Sequence, residues 1–122
     1  MQDFRQLRVW QKAHALVLDV YRTTQRFPRE EAHGLTAQLR RAAVSIAANI
    51  AEGCGRAGDR EFARFLRMAL GSASELEYHC LLAHDLAFLT DGDFNRLTEG
   101  VVEVKRMLAG LVGRMRAKGS ES

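Results

Sequence analysis

Apolar residues recur at helical spacing along four segments of the chain, and no segment shows the alternation of a β-strand. The first segment predicts a helix over about residues 4–27. Its apolar face repeats every three or four positions and consists of Trp10, Ala13, Val17, Val20, Thr24 and Phe27. This helix should end before Pro28, because the residue that precedes a proline is pushed out of the helical region.

The second and third segments predict helices over about residues 35–52 and 59–89. We expect the second helix to end at Gly53-Cys54-Gly55, where a glycine would adopt the left-handed conformation that closes many helices. The third should begin with Asp59 as its N-cap, followed by Glu61 in the first turn. Its expected core stripe is Phe62, Leu66, Ala69, Ala73, Leu76, Cys80 and Ala87.

The fourth segment predicts a helix over about residues 93–117, which follows a capping-box pattern from Thr90 to Asp93. Its apolar positions alternate steps of three and four, a heptad seam made of Phe94, Leu97, Val101, Val104, Leu108, Leu111 and Met115. Short connections make neighbouring helices antiparallel. The pattern therefore predicts an all-α, up-down-up-down four-helix bundle over residues 1–118, with a polar tail at 119–122.

The second helix differs from the other three because it is apolar nearly all round. Beside its core stripe lies a second apolar face of small residues where solvated Lys and Glu would be expected: Ala37, Val44, Ala48 and Ala51. A helix that is apolar all round is usually buried all round. We therefore expect this face to contact another subunit; the alternative is that alanine was selected only for its helix propensity.

A polar stripe also follows the second helix, and its residues need partners if they are buried. It consists of Gln38, Arg41, Ser45, Asn49 and Glu52. A hairpin with the third helix would place Arg41 near Glu75 and Ser45 near Ser72. We interpret Arg41, Ser45, Asn49, Ser72 and Glu75 as a polar network that fixes helix register; a small ligand pocket is the alternative.

The composition is that of a folded, non-membrane protein, with 47% hydrophobic and 27% charged residues and a single proline. No run approaches the length of a membrane span, and the N-terminus does not resemble a signal peptide. Cys54 and Cys80 form no CxxC motif and are expected to be reduced thiols. We therefore expect a cytoplasmic protein.

The chain offers little for catalysis or metal binding. A di-iron site in a helical bundle needs two Glu-x-x-His motifs, whereas the only one here runs from Glu30 to His33. The glycine-rich segment from Gly53 to Asp59 could bind an anion, but it lacks the lysine of a P-loop and follows a helix. We expect no metal, no cofactor, no catalytic residue and no enzymatic activity.

The predicted topology gathers the arginines at one end of the bundle, although the net charge is only +3. Ten basic residues meet five acidic ones where helices 1 and 3 begin and helix 4 ends. The candidates for binding nucleic-acid phosphates are Arg5, Arg8, Arg56, Arg60, Arg64, Arg114 and Arg116, with Lys12, Arg67 and Lys118 nearby. The alternative is that these side chains are only solvated helix ends.

Three segments resemble the bacterial four-helix-bundle proteins of the 23S rRNA intervening-sequence protein family: DFRQLRVWQKAHALVLDVY, QLRRAAVSIAANIAEGCGR and EFARFLRMALGSASELE. The block from Leu39 to Gly53 is the most specific of them. The family motif has proline where this chain has Ala47. The loss of this proline should remove a kink from the second helix rather than a function.

This resemblance implies a partner and a stoichiometry that the residue pattern alone does not give. The family is similar to the accessory variability determinant of diversity-generating retroelements, a basic bundle that forms a pentameric ring and binds nucleic acid and a reverse transcriptase. The resemblance therefore implies a homopentameric scaffold that binds RNA or DNA and a protein partner. The alternative is a protein-interaction module with no nucleic-acid role.

Overall fold

Four long helices carry the fold in the computed structural model, which describes residues 3–56 and 58–121, with side chains described as far as Met115. They are α1 (Arg8–Thr24), α2 (Leu35–Cys54), α3 (Asp59–Asp85) and α4 (Asp91–Glu121), and 3₁₀ turns occur at Phe4–Gln6 and Arg29–Glu31. Packing joins α1 to α2, α2 to α3, α3 to α4 and α4 back to α1. No strand occurs in the described residues, and the predicted four-helix bundle is confirmed.

In α2, α3 and α4 the core is built from the predicted apolar faces. In α1 the buried face is shifted by one position: Val9 and Leu16 are buried, whereas Trp10 and Val17 are only half-buried. The largest fully buried side chains of the core come from all four helices: Val20, Leu39, Ile46, Ile50, Leu66, Leu76, Cys80, Leu97, Val101, Val104 and Leu108. Burial of each such aliphatic side chain stabilises the fold by about 1.5–3 kcal/mol relative to its exposure. Phe94, Leu111 and Met115 are half-buried against this core.

The first predicted helix is shorter than expected and is interrupted near its start. Asp3 accepts a hydrogen bond from the backbone N–H of Arg5 and caps the 3₁₀ turn, after which Leu7 is extended. The helix proper ends at Thr24, so Phe27 is buried beyond its last turn and Pro28 follows. Phe27 therefore contributes to the core from the connection rather than from the helix.

The α2–α3 connection corrects two predicted caps. α2 continues to Cys54 and passes through Ala47 without interruption. Its C-cap Gly55 has a φ of −82°, so the predicted left-handed closure is wrong; the positive φ, 87°, belongs to Gly58. Gly58 is the N-cap of α3, and Asp59 is the first helical residue rather than the cap.

The role of Gly53 is close packing rather than conformational freedom. A Cβ at this position would lie 2.8 Å from Cβ of Phe65 and 3.0 Å from Cδ1 of Phe62. Such a separation is well inside van der Waals contact, so a larger residue would force α2 and α3 apart. Gly53 thus sets the distance between the two helices where they approach their shared connection.

α3 ends at Asp85, four residues before the predicted end, because Ala87 is left-handed with a φ of 65°. The N–H of Phe88 donates to the carbonyl of Ala83 at 2.8 Å and that of Ala87 to His84 at 2.9 Å, which is the bonding of a Schellman cap. Ala87 is exposed, so its predicted place in the core stripe is wrong, and Ala83 is buried instead.

α4 begins with the predicted cap, since the Thr90 hydroxyl accepts a hydrogen bond from the N–H of Asp93 at 3.1 Å. The helix extends to Glu121 and includes residues 119–121, which the sequence pattern assigned to a polar tail. No proline lies in this stretch to end the helix earlier.

Candidate nucleic-acid interface

Most of the predicted phosphate-binding residues are exposed at one end of the bundle. They extend from the start of α1, the α2–α3 connection, the first turns of α3 and the last turns of α4. The exposed arginines there are Arg5, Arg8, Arg56, Arg60, Arg64, Arg67 and Arg114, and Lys12 is half-buried. Arg116 and Lys118 lie outside the residues whose side chains the structure describes.

Several of these cations are already paired with carboxylates. Arg56 contacts Glu52 at 3.0 Å, Arg64 contacts Glu61 at 3.2 Å, and Arg5 contacts Asp3 at 3.3 Å. The hydrogen bond from Arg64 lowers the pKa of the Glu61 carboxyl. A phosphate must displace these carboxylates, which weakens the attraction that the paired arginines offer.

The guanidinium groups of Arg56 and Arg64 share one aromatic ring. Their central carbons lie 5.3 Å and 4.7 Å from the ring centroid of Phe65, which is itself buried. Cation–π contact and the glutamate pairs fix these two side chains in place. They therefore add less free positive charge to this end than unpaired arginines would.

Arg8, Arg60, Arg67 and Arg114 form the uncompensated part of the basic end. All four are exposed, and within the described ranges none makes an ion pair. Their charge is available to an external anion without rearrangement of the protein. The sequence could not separate these residues from the paired arginines, because the pairing depends on rotamers and helix register.

The predicted polar network between α2 and α3 is brought together in part. The hydroxyls of Ser45 and Ser72 lie 2.7 Å apart, and Asn49 Nδ2 donates to Ser45 Oγ at 3.1 Å and to Ser45 O at 2.9 Å. Arg41 and Glu75 form no ion pair in the described part of the chain, and both are exposed. Water solvates these two charges, so burial does not force them together.

The second apolar face of α2 lies on the surface of the single chain. Val44 is 41% exposed, Ala48 is exposed, and Ala37 and Ala51 are half-buried. Leu18 and Tyr21 of α1, which packs beside α2, are 45% and 40% exposed. Together they give α1 and α2 an uncovered apolar surface.

An open hollow of about 620 Å³ lies at one end of this surface, lined by Tyr21, Ala32, Thr36, Ala37, Arg40, Arg41, Val44 and Ser45. Arg40 is fixed at its edge: Nε donates to the Thr24 hydroxyl at 2.9 Å, and the guanidinium lies 4.5 Å from the Tyr21 ring centroid. Ala37 and Val44 form the apolar floor of the hollow, and the Arg40 side chain, held at the edge, does not cover them.

An ion-pair cluster at the opposite end was not anticipated from the sequence. Arg96 of α4 donates to both carboxylate oxygens of Asp19 on α1, at 2.9 and 3.0 Å, and to Asp93 at 2.7 Å. Arg26 reaches the same Asp93 at 2.6 Å. These bonds join α1 to α4 and pair two arginines with two aspartates at that end, where Arg22 and Arg29 remain exposed. Only the helix register brings residues so distant in sequence together.

The thiols and histidines do not assemble a reactive group in the described residues. Cys54 and Cys80 are free and buried, and burial raises the pKa of the Cys80 thiol to about 12. His84 Nε2 lies 2.7 Å from Asp91, whereas His33 is exposed. In the described ranges no group of three or more His, Cys, Asp or Glu side chains could hold a metal ion.

Fold and surface together define a four-helix bundle with an arginine-rich end and an apolar α2 face. The chain belongs to the 23S rRNA-intervening sequence protein family, which it matches over residues 5–110. No curated protein matches it. Across the described part of the chain, no helix is long and apolar enough to cross a membrane.

Solved structures repeat the fold. A crystal structure from Bacteroides thetaiotaomicron, of a protein with unknown function from the S23 ribosomal protein family, superposes with a TM-score of 0.77 at 21% identity. The match covers 85% of this chain and 97% of the other. At this identity the similarity concerns the fold alone.

Proposed function

We propose that the protein is a non-enzymatic, oligomeric scaffold whose basic end binds RNA or DNA and which also engages a protein partner. The observation that carries the proposal is the group of uncompensated arginines, Arg8, Arg60, Arg67 and Arg114, at one end of the bundle. Binding to phosphates releases counterions, so affinity should fall steeply as salt rises. Membership in a family named for rRNA intervening sequences is consistent with an RNA partner.

Assembly into a homo-oligomer is the second part of the proposal. The apolar surface of Ala37, Val44, Ala48 and Ala51 supports it, because small side chains allow a neighbouring subunit to approach closely. The number five comes from the resemblance to the pentameric accessory protein of retroelements. Subunits arranged side by side would bring their basic ends onto one face, and the attraction for a polyanion would then add up over the ring.

A salt titration of RNA binding by a triple variant tests the nucleic-acid part. Arg8→Ala/Arg60→Ala/Arg114→Ala should reduce affinity for a labelled RNA at least tenfold at low salt. The slope of log affinity against log salt concentration should become shallower by about 0.9 for each contact with a duplex phosphate that is lost. The control, Arg22→Ala/Arg29→Ala, removes two exposed arginines at the opposite end and should bind like wild type. Equal affinities of the triple variant and wild type at every salt concentration would exclude the basic end as the RNA-binding surface.

The second candidate function is a protein-interaction module with no nucleic-acid role. The uncovered apolar surface of α1 and α2, with Leu18, Tyr21 and Val44 exposed, favours it. The same titration separates the two functions, because a pure interaction module would show weak RNA binding that the triple variant and the control lower alike.

A further inference from the structure

A groove between α3 and α4 begins beside Arg67 of the basic end and contains two hollows. One hollow, of about 300 Å³, is lined by Leu70, Val102, Lys105, Arg106 and Ala109. The other, of about 380 Å³, is lined by Ser74, Glu77, Tyr78, Leu81, Phe94 and Thr98. Leu70 and Ser74 are one helical turn apart on α3, so the two hollows are neighbours along one groove.

The charge beside the first hollow is positive, whereas the second hollow is lined by Glu77 and by no cation. Arg67 lies one turn before Leu70, and Arg106 lines the first hollow; both are exposed and, in the described ranges, make no ion pair. Lys105 neutralises Glu77 across the groove at 2.9 Å. Two free guanidinium groups flank the apolar hollow of Leu70, Val102 and Ala109, which suits a ligand that carries both phosphates and flat apolar groups.

Tyr78 supplies an aromatic surface at the second hollow. Its side chain is 59% exposed, more than that of any other large hydrophobic residue in the described ranges. An exposed tyrosine next to a cationic hollow can stack on a nucleic-acid base of any sequence.

We infer that this groove binds a single-stranded nucleic acid, with Arg67 and Arg106 on backbone phosphates and Tyr78 stacked on a base. The inference rests on the proposed nucleic-acid binding and names the strandedness and the surface. Arg67 and Leu81 are separated by about 21 Å along α3, at about 1.5 Å per residue. A stacked strand rises about 3.4 Å per nucleotide, so roughly six nucleotides fit. A duplex keeps its base faces stacked inside and cannot use Tyr78.

Fluorescence anisotropy with a labelled oligouridine of about 12 nucleotides, and with a duplex of equal length, tests the inference. Tyr78→Ala should lower single-strand affinity about tenfold and leave duplex affinity unchanged. Tyr78→Phe retains the ring and should bind like wild type. Leu86→Ala, which removes another exposed apolar side chain of the α3–α4 region outside the groove, is the matched control.

The arginines are tested in the same titration. For single-strand binding by Arg67→Ala/Arg106→Ala, the slope of log affinity against log salt concentration should become shallower by about 0.7 for each phosphate contact that is lost. If Tyr78→Ala binds both RNAs like wild type while the Arg8/Arg60/Arg114 variant loses affinity, the groove is excluded and the basic end is retained. If wild type binds neither RNA, both the groove and the proposed nucleic-acid function are wrong.

Discussion

Ala87 shows how a single backbone angle ends a helix. Its left-handed conformation completes the Schellman cap of α3, although an alanine there costs about 1–2 kcal/mol that a glycine would avoid. The sequence gives no glycine at this point, and the apolar pattern continues past it, so the predicted helix extends too far. The strain is small enough for the packing of the neighbouring Phe88 and Leu89 against the core to outweigh it.

Replacement of Ala87 by glycine should stabilise the protein. We expect Ala87→Gly to raise the free energy of unfolding by about 0.5–1 kcal/mol, because relief of the left-handed strain exceeds the entropy that glycine adds to the unfolded chain. Urea denaturation measures the change. Ala109→Gly, at an exposed position inside α4, is the control and should destabilise by about 1 kcal/mol. A loss of stability in Ala87→Gly would contradict the strained cap.

Asp93 is the residue at which pH should act on the α1–α4 ion pairs. Its hydrogen bond with Arg96 and the charge of Arg26 hold the pKa of its carboxyl below the usual range. A carboxyl with a lower pKa in the folded state stabilises the fold above its unfolded pKa, near 3.9, and loses this contribution as pH falls through the folded pKa.

We therefore expect Asp93→Asn to cost about 1 kcal/mol at neutral pH and progressively less below about pH 4. Urea unfolding of both proteins at a series of pH values measures the difference. Glu99→Gln, at an exposed carboxylate without an ion pair in the described ranges, should show little pH-dependent difference. A cost for Asp93→Asn that stays constant from pH 7 to pH 2 would rule out this role of the carboxylate.

At the scale of elements, α2 and α3 are held at a separation that Gly53 sets. Gly53→Ala should destabilise by about 1–3 kcal/mol, because its Cβ would overlap Phe65 at 2.8 Å. Gly71→Ala, within α3 and facing open space, should instead stabilise by up to about 1 kcal/mol. Thermal and urea unfolding of the two variants compare the sites. If both substitutions stabilise equally, the helices can separate at Gly53 without cost.

Helix existence, helix order and the core faces of α2 to α4 followed from the apolar period, because only a helix buries a stripe of residues spaced three or four apart. In α1 the buried face lies one residue away from the predicted one, at Val9 and Leu16. Caps followed less well: Thr90 was identified, but Gly58 and Ala87 were not, since a left-handed angle depends on how the chain must turn. The Ser45–Ser72 contact followed from hairpin register. Which arginines remain unpaired did not follow, because side-chain pairing depends on tertiary geometry.

At the scale of the whole molecule, the charge distribution is more informative than the net charge of +3. The end with Asp19, Asp93 and Arg96 carries four arginines and six carboxylates, whereas the opposite end has an excess of arginines. An oligomer that sets these ends side by side would present a continuous cationic face. The apolar surface of α2 is the feature that would hold such an oligomer together.

Sedimentation velocity of the protein with a fluorescent RNA, at low and at high salt, tests this arrangement most directly. We predict that the 13.7 kDa chain sediments as a pentamer, that the RNA moves with it at low salt, and that high salt releases the RNA while the pentamer persists. A chain that sediments as a monomer, with the RNA free at both salt concentrations, would contradict the proposed scaffold.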